Sequence, residues 1–431
     1  MRIVDIIEMK KNGEELNREQ ITKIIMGYVK GKVPDYQMSA FQMAVYFKGM
    51  TSIETALLTD VMTHSGETIN LKAIKGIKVD KHSTGGVGDK TTIAVAPIIA
   101  AIGIPFAKMS GRGLGFTGGT IDKLESVPGF KVKLTNKQFI NQVNKIGLAV
   151  ISQTSDVVPA DKLMYSLRDV TATVNSLPLI ASSIMSKKLA TGSDAILLDV
   201  KCGEGAFMKT YKDAEKLANA MIAIGKHLKK DVRAEITSMD RPLGRAIGNK
   251  NEILEAILTI EGKGPKDFTE IVLSSSATIL VQAKVVKTHK EGLAKVKEVI
   301  NNGEATKKFK EWIKAQNGDN KIIFTDKFFT PKNKFEVKAA KSGYMIIKSA
   351  VKFGIAAMRL GAGRETKEDK IDNNAGIYLN KKTNEKVKSG DILFTLYSDS
   401  KISIEITKYL KDAYNIGDKQ IENKIILGKL G

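Results

Sequence analysis

From residue 2 to about 64, apolar positions recur three and four apart with polar residues between them, the pattern of amphipathic helices packed against one another. Asn17 with Gln20, and Thr51 with Glu54, have the spacing of capping boxes, and Pro34 opens a third helix. After Gly66 the rhythm changes. "AIKGIKV" (73–79) and "GIPFAKM" (103–109) read as short strands, each ending in a glycine-rich turn, with the helical "KTTIAVAPIIAAIG" (90–103) between them. "LAVIS" (148–152), "AILLDVK" (195–201) and "VRAEITSM" (232–239) continue the strands, and stretches such as "YKDAEKLANAMIAIGKHL" (211–228) supply connecting helices. Alternation of this kind implies a mostly parallel sheet covered by helices.

Between 159 and 190 the strand signal disappears. "PADKLMYSLRDV" (159–170) and "NSLPLIASSIMSKKLA" (175–190) read as helices and are expected to rejoin the N-terminal ones. From about 330 short alternating segments such as "GYMIIKSAV", "AGIYLN" and "DILFTLYS", separated by Gly, Asn and Lys, indicate a small β-rich unit. The expected fold class is therefore α/β in three domains. A split all-helical domain takes 1–68 and 159–190; a large mixed, mostly parallel sheet domain takes 69–158 and 191–330; a small α+β C-terminal domain takes 331–431.

Composition narrows the class. A chain of 431 residues, 42% hydrophobic and 27% charged, is long enough for two or three cores and ordinary for a soluble protein. The single cysteine, Cys202, excludes an internal disulfide and favours a cytoplasmic setting; just after a strand it reads as a small buried thiol. The first residues lack the pattern of a signal peptide, and the apolar run 93–107 is broken by Pro97, Gly103 and Pro105, short of the roughly 20 residues a membrane span needs. The net charge of +21 comes from 59 Lys and 9 Arg scattered along the chain, with aromatics at 6% and no nucleic-acid-binding motif. A solvated basic surface that draws in small anions accounts for it better than a nucleic-acid partner.

The candidate chemistry sits where strands end. In an open α/β sheet, ligands bind beyond the carboxyl ends of the strands, where amide groups and helix N-termini converge. "KHSTGGVGDK" (81–90) and "AKMSGRGLGFTGGTIDKLE" (107–125) fall there. In the first, Gly85, Gly86 and Gly88 let the backbone bend close to a ligand, while Lys81, Ser83, Thr91 and Thr92 offer a charge and hydroxyls. Lys108, Ser110, Thr117 and Thr120 offer the same groups in the second. Two such loops can enclose one tetrahedral oxyanion, for which phosphate is the obvious candidate. The P-loop pattern fails because Lys90 follows Asp89, and Gly113, Gly115 and Gly118 match a dinucleotide fingerprint without its downstream acid.

These stretches, with "SGRGLGFTGGTIDKLE" (110–125) and "LRDVTATVNSLPLIASSIMSKK" (167–188), make the whole chain resemble the thymidine and pyrimidine-nucleoside phosphorylase family. The resemblance implies a homodimer that cleaves pyrimidine nucleosides with inorganic phosphate as co-substrate, giving free base and pentose 1-phosphate, without an organic cofactor. It assigns phosphate to Lys81, Ser83, Thr92, Lys108, Ser110 and Thr120. It assigns the nucleoside to His82, Arg168, Ser183 and Lys187, with Leu114, Ile180 and Phe207 as apolar walls, so that His82, Arg168 and Lys187 carry catalysis in a cleft between two domains. Without it, Arg168 would be read as a surface partner of Asp161 or Asp169; of the adjacent Lys187 and Lys188, one reads as merely solvated. His64, His227 and His289 lack partners at ligand spacing and read as surface or packing residues.

Two departures from the family pattern stand out. Phe116 stands where relatives often carry histidine, which reads as altered packing. The resemblance also implies a monovalent cation, potassium, near Gly88, Lys90, Leu243, Ala246 and Glu255; a lysine at 90 either replaces that ion by pairing with Glu255 or points away. Lys108 matches the broad pyrimidine branch and implies activity on uridine, thymidine and deoxyuridine, because a lysine near the sugar can donate to a ribose 2′-hydroxyl. The segment "AGIYLNKKTNEKVKSGDILFTLYSD" (375–399) resembles the hammerhead half of biotinyl and lipoyl carrier domains but lacks a carrier Met-Lys turn, so a structural role is expected. The alternative is a phosphoribosyltransferase of the anthranilate type, which uses a comparable glycine-rich loop; a nucleic-acid-binding protein ranks third.

Overall fold

The computed structural model describes residues 1–113, 118–153, 157–366 and 368–431. The chain opens with four helices, α1 (Ile3–Asn12), α2 (Arg18–Val29), α3 (Asp35–Lys48) and α4 (Ser52–Thr63). Both expected capping boxes form: Asn17 accepts from the Gln20 amide, and Thr51 from the Glu54 amide. Pro34 caps α3. Glu54 is then buried, where it accepts a hydrogen bond from Lys10 Nζ at 2.6 Å and another from the Leu16 amide at 2.9 Å.

The α/β part follows as β1 (Val79–Ser83), α5 (Thr91–Ala101), β2 (Phe106–Ser110), α6 (Thr120–Glu125), α7 (Asn136–Ile146) and β3 (Leu148–Ser152). Helices α8 (Pro159–Val170) and α9 (Leu177–Ala190) interrupt it and return to the first unit, α9 lying on α4 and α8 on α2 and α3. The sheet resumes with β4 (Ala195–Cys202), α10 (Tyr211–His227), β5 (Asp231–Ser238) and β6 (Ala246–Gly248), followed by α11 (Lys250–Ile260), α12 (Lys266–Gln282), α13 (His289–Asn301) and α14 (Glu304–Ala315). The last part holds β7 (Asn333–Lys338), β8 (Gly343–Ile347), α15 (Ala350–Ala357), β9 (Gly376–Tyr378), β10 (Lys386–Val387), β11 (Ile392–Ser398), α16 (Ile404–Leu410), β12 (Tyr414–Gly417) and β13 (Ile426–Leu430).

The main sheet runs β1-β4-β5-β13, parallel through its first three strands, and β2 pairs with β3 in a separate parallel ladder beside β1. Helix α5 lies almost wholly buried, packed chiefly against α11, α12 and α14, its eleven residues nearly all apolar or small. The fold is thus the expected α/β arrangement with a helical unit and a small C-terminal unit.

Three elements depart from the sequence expectation. The strand expected at 73–79 is irregular up to Lys78, because Gly76 turns the chain at φ +86°. Its ladder begins at Val79 and continues through Asp80, Lys81 and His82, residues that read as loop because of their charge. They can be strand because each buried charge finds a partner on a neighbouring strand, as described below. At the other end, β13 leaves the C-terminal unit to cover the β5 edge, and β6 joins the sheet β6-β9-β11-β7. Covering that edge removes a row of open backbone groups.

Candidate active site

The carboxyl end of β1 carries Lys81, His82 and Ser83 into a cluster of ions. Lys81 Nζ donates to Asp199 Oδ2 at 2.9 Å, and Lys201, two residues on along β4, meets the same carboxylate at 2.8 Å; all three side chains are buried. Lys108, on β2, reaches Asp80 at 3.0 Å and the carbonyl of Lys81, which links the two ladders. Ser83 donates to Asp89, and its hydroxyl accepts from the Gly85 amide at 3.2 Å. Although burial opposes charge on Asp89, Lys201, Lys81 and the hydroxyls of Ser83 and Thr91 hold its carboxyl well below the usual range. Thr92 lies in the first turn of α5, Ser110 closes β2 and Thr120 opens α6.

Five charged residues of this cluster, Asp80, Asp89, Asp199, Lys188 and Lys201, were absent from the sequence assignment. A signal existed for two of them. Asp199 and Lys201 sit two apart in "AILLDVK", on one face of an otherwise apolar strand.

His82 stands among cations. Burial, with Lys188, Lys108, Lys187 and Lys81 nearby, pushes its imidazole well below the ordinary value, so the ring is neutral near pH 7. Burial likewise pulls Lys108 down to about 7, against the pull of Asp80 and with Lys188 and Lys81 adding to the effect.

The two glycine-rich loops are fastened together by a residue the sequence did not single out. Lys123 Nζ donates to the carbonyls of Asp89 at 2.9 Å and Gly118 at 3.1 Å, and pairs with Glu252 at 3.0 Å. In the second loop Asp122 accepts from the Gly113 amide at 2.7 Å and from Arg364 of the C-terminal unit at 3.1 Å. Leu114, Phe116 and Thr117 lie outside the described residues.

Helix α9 faces this cluster with two lysines, and neither is merely solvated, contrary to the sequence expectation. Lys187 pairs with Asp161 at 2.7 Å and donates to Ser183 Oγ at 3.1 Å. Lys188 turns to the sheet, meeting Asp80 at 3.1 Å and the Met109 carbonyl at 3.2 Å. Adjacent residues on a helix point about 100° apart, so one can serve each side. Arg168 is not the surface partner of Asp161 or Asp169. It is 2% exposed, and its guanidinium donates to the carbonyls of Thr173, Leu179 and Val174 at 3.3, 3.2 and 2.6 Å, closing the α8–α9 turn. An open pocket of about 790 Å³ lies between these parts, lined by Thr84 and Gly85 after β1, Ile180 on α9 and Phe207 after β4. The two described apolar walls are thus brought together.

At the expected cation position, Lys90 Nζ lies 2.8 Å from the Leu243 carbonyl and 3.0 Å from that of Ala246, and pairs with Glu255. Gly88, at φ +74°, approaches so closely that a Cβ there would stand 2.5 Å from the Leu243 oxygen. The residues do not fit a potassium ion: the ammonium already holds the oxygens that would bind it.

Comparison with known proteins matches three families along the chain. "Glycosyl transferase family, helical bundle domain" covers residues 4–66, "Glycosyl transferase family, a/b domain" covers 75–306, and "Pyrimidine nucleoside phosphorylase C-terminal domain" covers 344–417. Pyrimidine-nucleoside phosphorylases of Staphylococcus aureus strains USA300 and bovine RF122 / ET3-1 are each 51% identical over 427 residues, 99% of either chain. Among solved structures, the anthranilate phosphoribosyltransferase of Thermus thermophilus matches with a TM-score of 0.57 and 17% identity, over 72% of this chain and 99% of that one. That likeness is one of fold.

Proposed function

Because the chain belongs to the pyrimidine-nucleoside phosphorylase family of pentosyltransferases, we propose that it cleaves uridine, thymidine and deoxyuridine with inorganic phosphate, releasing the free pyrimidine and the (deoxy)ribose 1-phosphate with inversion. The observation that carries this reading is the lysine–histidine cluster at the ends of β1 and β2, which faces Lys187 and Ser183 of α9 beside the Ile180–Phe207 pocket. The phosphoribosyltransferase reading is the weaker one, since the match to that enzyme supports only a shared fold.

Phosphate is anionic at neutral pH and needs placing more than deprotonating. Lys81 and Lys108, with the hydroxyls of Ser83, Thr92, Ser110 and Thr120, hold it at the strand ends and the α5 N-terminus. One of its oxygens attacks the anomeric carbon as the bond to the ring nitrogen breaks; the bonding electrons leave with the pyrimidine, which then takes up a proton. Attack from the face opposite the base gives inversion, through a transition state with positive charge on the sugar. Lys187 and Ser183 meet negative charge growing on the base, where a preorganised cation in a dry site acts most strongly. His82, neutral before substrate arrives, contributes a hydrogen bond from its N–H, and an adjacent phosphate raises its proton affinity. Arg168, whose guanidinium holds the α8–α9 turn beside Lys187 and Ile180, stabilises with Lys187 the negative charge growing on the base carbonyls.

The active form is a homodimer in the cytoplasm. Tyr36, Ala40, Met43 and Phe47 repeat at the four-three-four spacing of a helix–helix seam on α3, with Tyr36 74% and Phe47 76% exposed. A second copy is the occupant this stripe suits. No described helix is long and apolar enough to cross a membrane.

The test is incubation with each nucleoside, with and without phosphate, following free uracil or thymine by chromatography and the configuration of the sugar phosphate by NMR. Release that requires phosphate and yields the inverted 1-phosphate is expected. Intact nucleosides, together with turnover of anthranilate and phosphoribosyl pyrophosphate, would overturn it.

A further inference from the structure

We infer that Lys90 is a built-in monovalent cation, an ammonium tethered in a carbonyl cradle behind the first glycine-rich loop, so that phosphate binding in this enzyme needs no added metal ion. The inference rests on the phosphorylase reading for its kinetic half and on geometry alone for its other half. The carbonyls of Leu243 and Ala246 and the carboxylate of Glu255 converge on one point. Oxygens aimed at each other in a dry interior repel unless a cation stands between them. Lys90 supplies that cation and is 0% exposed. The face of the Phe268 ring, its centroid 5.1 Å from Nζ, adds a further attraction for positive charge.

The surroundings bind the cradle to the phosphate side. Lys90 is the residue that caps α5, directly before Thr91 and Thr92. Glu255 also accepts from the Arg245 amide at 2.8 Å and the Ala246 amide at 3.2 Å, so one carboxylate fixes the 243–246 turn and the ammonium together. The same turn is gripped from its other side by Lys382, whose Nζ donates to the carbonyls of Pro242 at 2.8 Å and Gly244 at 2.6 Å and to Asp267 at 2.6 Å. Carbonyls of one short turn therefore serve two buried ammonium groups. A free ion in such a cradle exchanges with solvent, whereas a side chain cannot leave.

The experiment measures KM for phosphate in uridine phosphorolysis, and thermal unfolding, in potassium, sodium and choline chlorides at equal ionic strength. For the native protein both quantities should be the same in all three salts. In Lys90→Ala, KM in choline chloride should rise by about a hundredfold, the order that an ångström of misplacement costs. Potassium or methylammonium should then lower it and raise Tm by linkage, because the ion binds only the folded cradle. Lys90→Met, which fills the space without charge, should show the loss and no rescue. A native KM or Tm that depends on potassium overturns the inference, as does Lys90→Ala with unchanged KM and no response to any cation. Should Lys90→Ala fail to fold, the native salt comparison decides. If the native protein has no phosphorolytic activity yet its Tm is indifferent to potassium while that of Lys90→Ala is not, the functional reading falls and the tethered cation stands.

Discussion

Lys108 shows how much one buried lysine can govern. Its ammonium, held between Asp80 and the Lys81 carbonyl, loses its proton at about pH 7 because burial outweighs the pull of Asp80. Binding an anion favours the charged form. KM for phosphate should therefore climb as pH rises past about 7 in the free enzyme, while His82, already neutral, adds no limb near its ordinary value. Lys108→Arg keeps the charge throughout and should flatten that rise, measured as kcat/KM against pH. Lys108→Met should also lower the rate on uridine relative to thymidine, on the proposal that the Lys108 amine donates to the ribose 2′-hydroxyl; an unchanged ratio would show that breadth is set elsewhere. At this scale the sequence singled out Lys81, His82 and Lys108 as candidates to contact a ligand, but the counter-ions of the two lysines could not be read. Asp80 and Asp199 come from different strands, and only pairing in the fold shows which charge neutralises which.

Buried ammonium groups tie the loops to one another and to the helices behind them. Lys123 joins the first loop at Asp89 to the second at Gly118 and anchors both to Glu252 on α11. Replacing Lys123 by Met leaves Glu252 buried without its cation, a loss of about 3–5 kcal/mol. Denaturant unfolding should register that loss, and KM for phosphate should rise with it because the two loops are no longer tied. The elements with a strong period, such as 148–152 and 159–170, fall where the hydrophobic pattern put them. The strand at 79–83 does not, because its inward positions are charged and periodicity counts charges as solvent-facing.

The whole molecule combines a helical unit made of two chain segments with a sheet that its own C-terminus completes. Lys188 crosses between them, from α9 to Asp80 on β1, so the helical unit is seated on the floor of the candidate site. Arg364 and Lys382 reach the second glycine-rich loop and the 242–246 turn from the C-terminal unit, which gives that unit a supporting part in the site. The exposed stripe on α3 belongs to this scale as well. Tyr36→Lys with Phe47→Lys places like charges across the proposed two-fold seam, where the same residues would face each other. Light scattering after size-exclusion chromatography should show a shift from dimer to monomer, and an unaltered dimer would place the interface on another face.

Taken alone, the sequence determined the alternation of strands and helices, the interruption at 159–190, and the two glycine-rich turns with their lysines and hydroxyls. Those features are local, fixed by side-chain period, capping and the conformational freedom of glycine. The tertiary structure alone decided which aspartate answers each buried lysine, that Arg168 closes a turn, that Lys90 fills a cradle of carbonyls, and that the last strand returns to the main sheet. Each of these depends on groups far apart in the chain meeting in a dry interior, where an unpaired charge is too costly to leave and only the folded geometry supplies its partner.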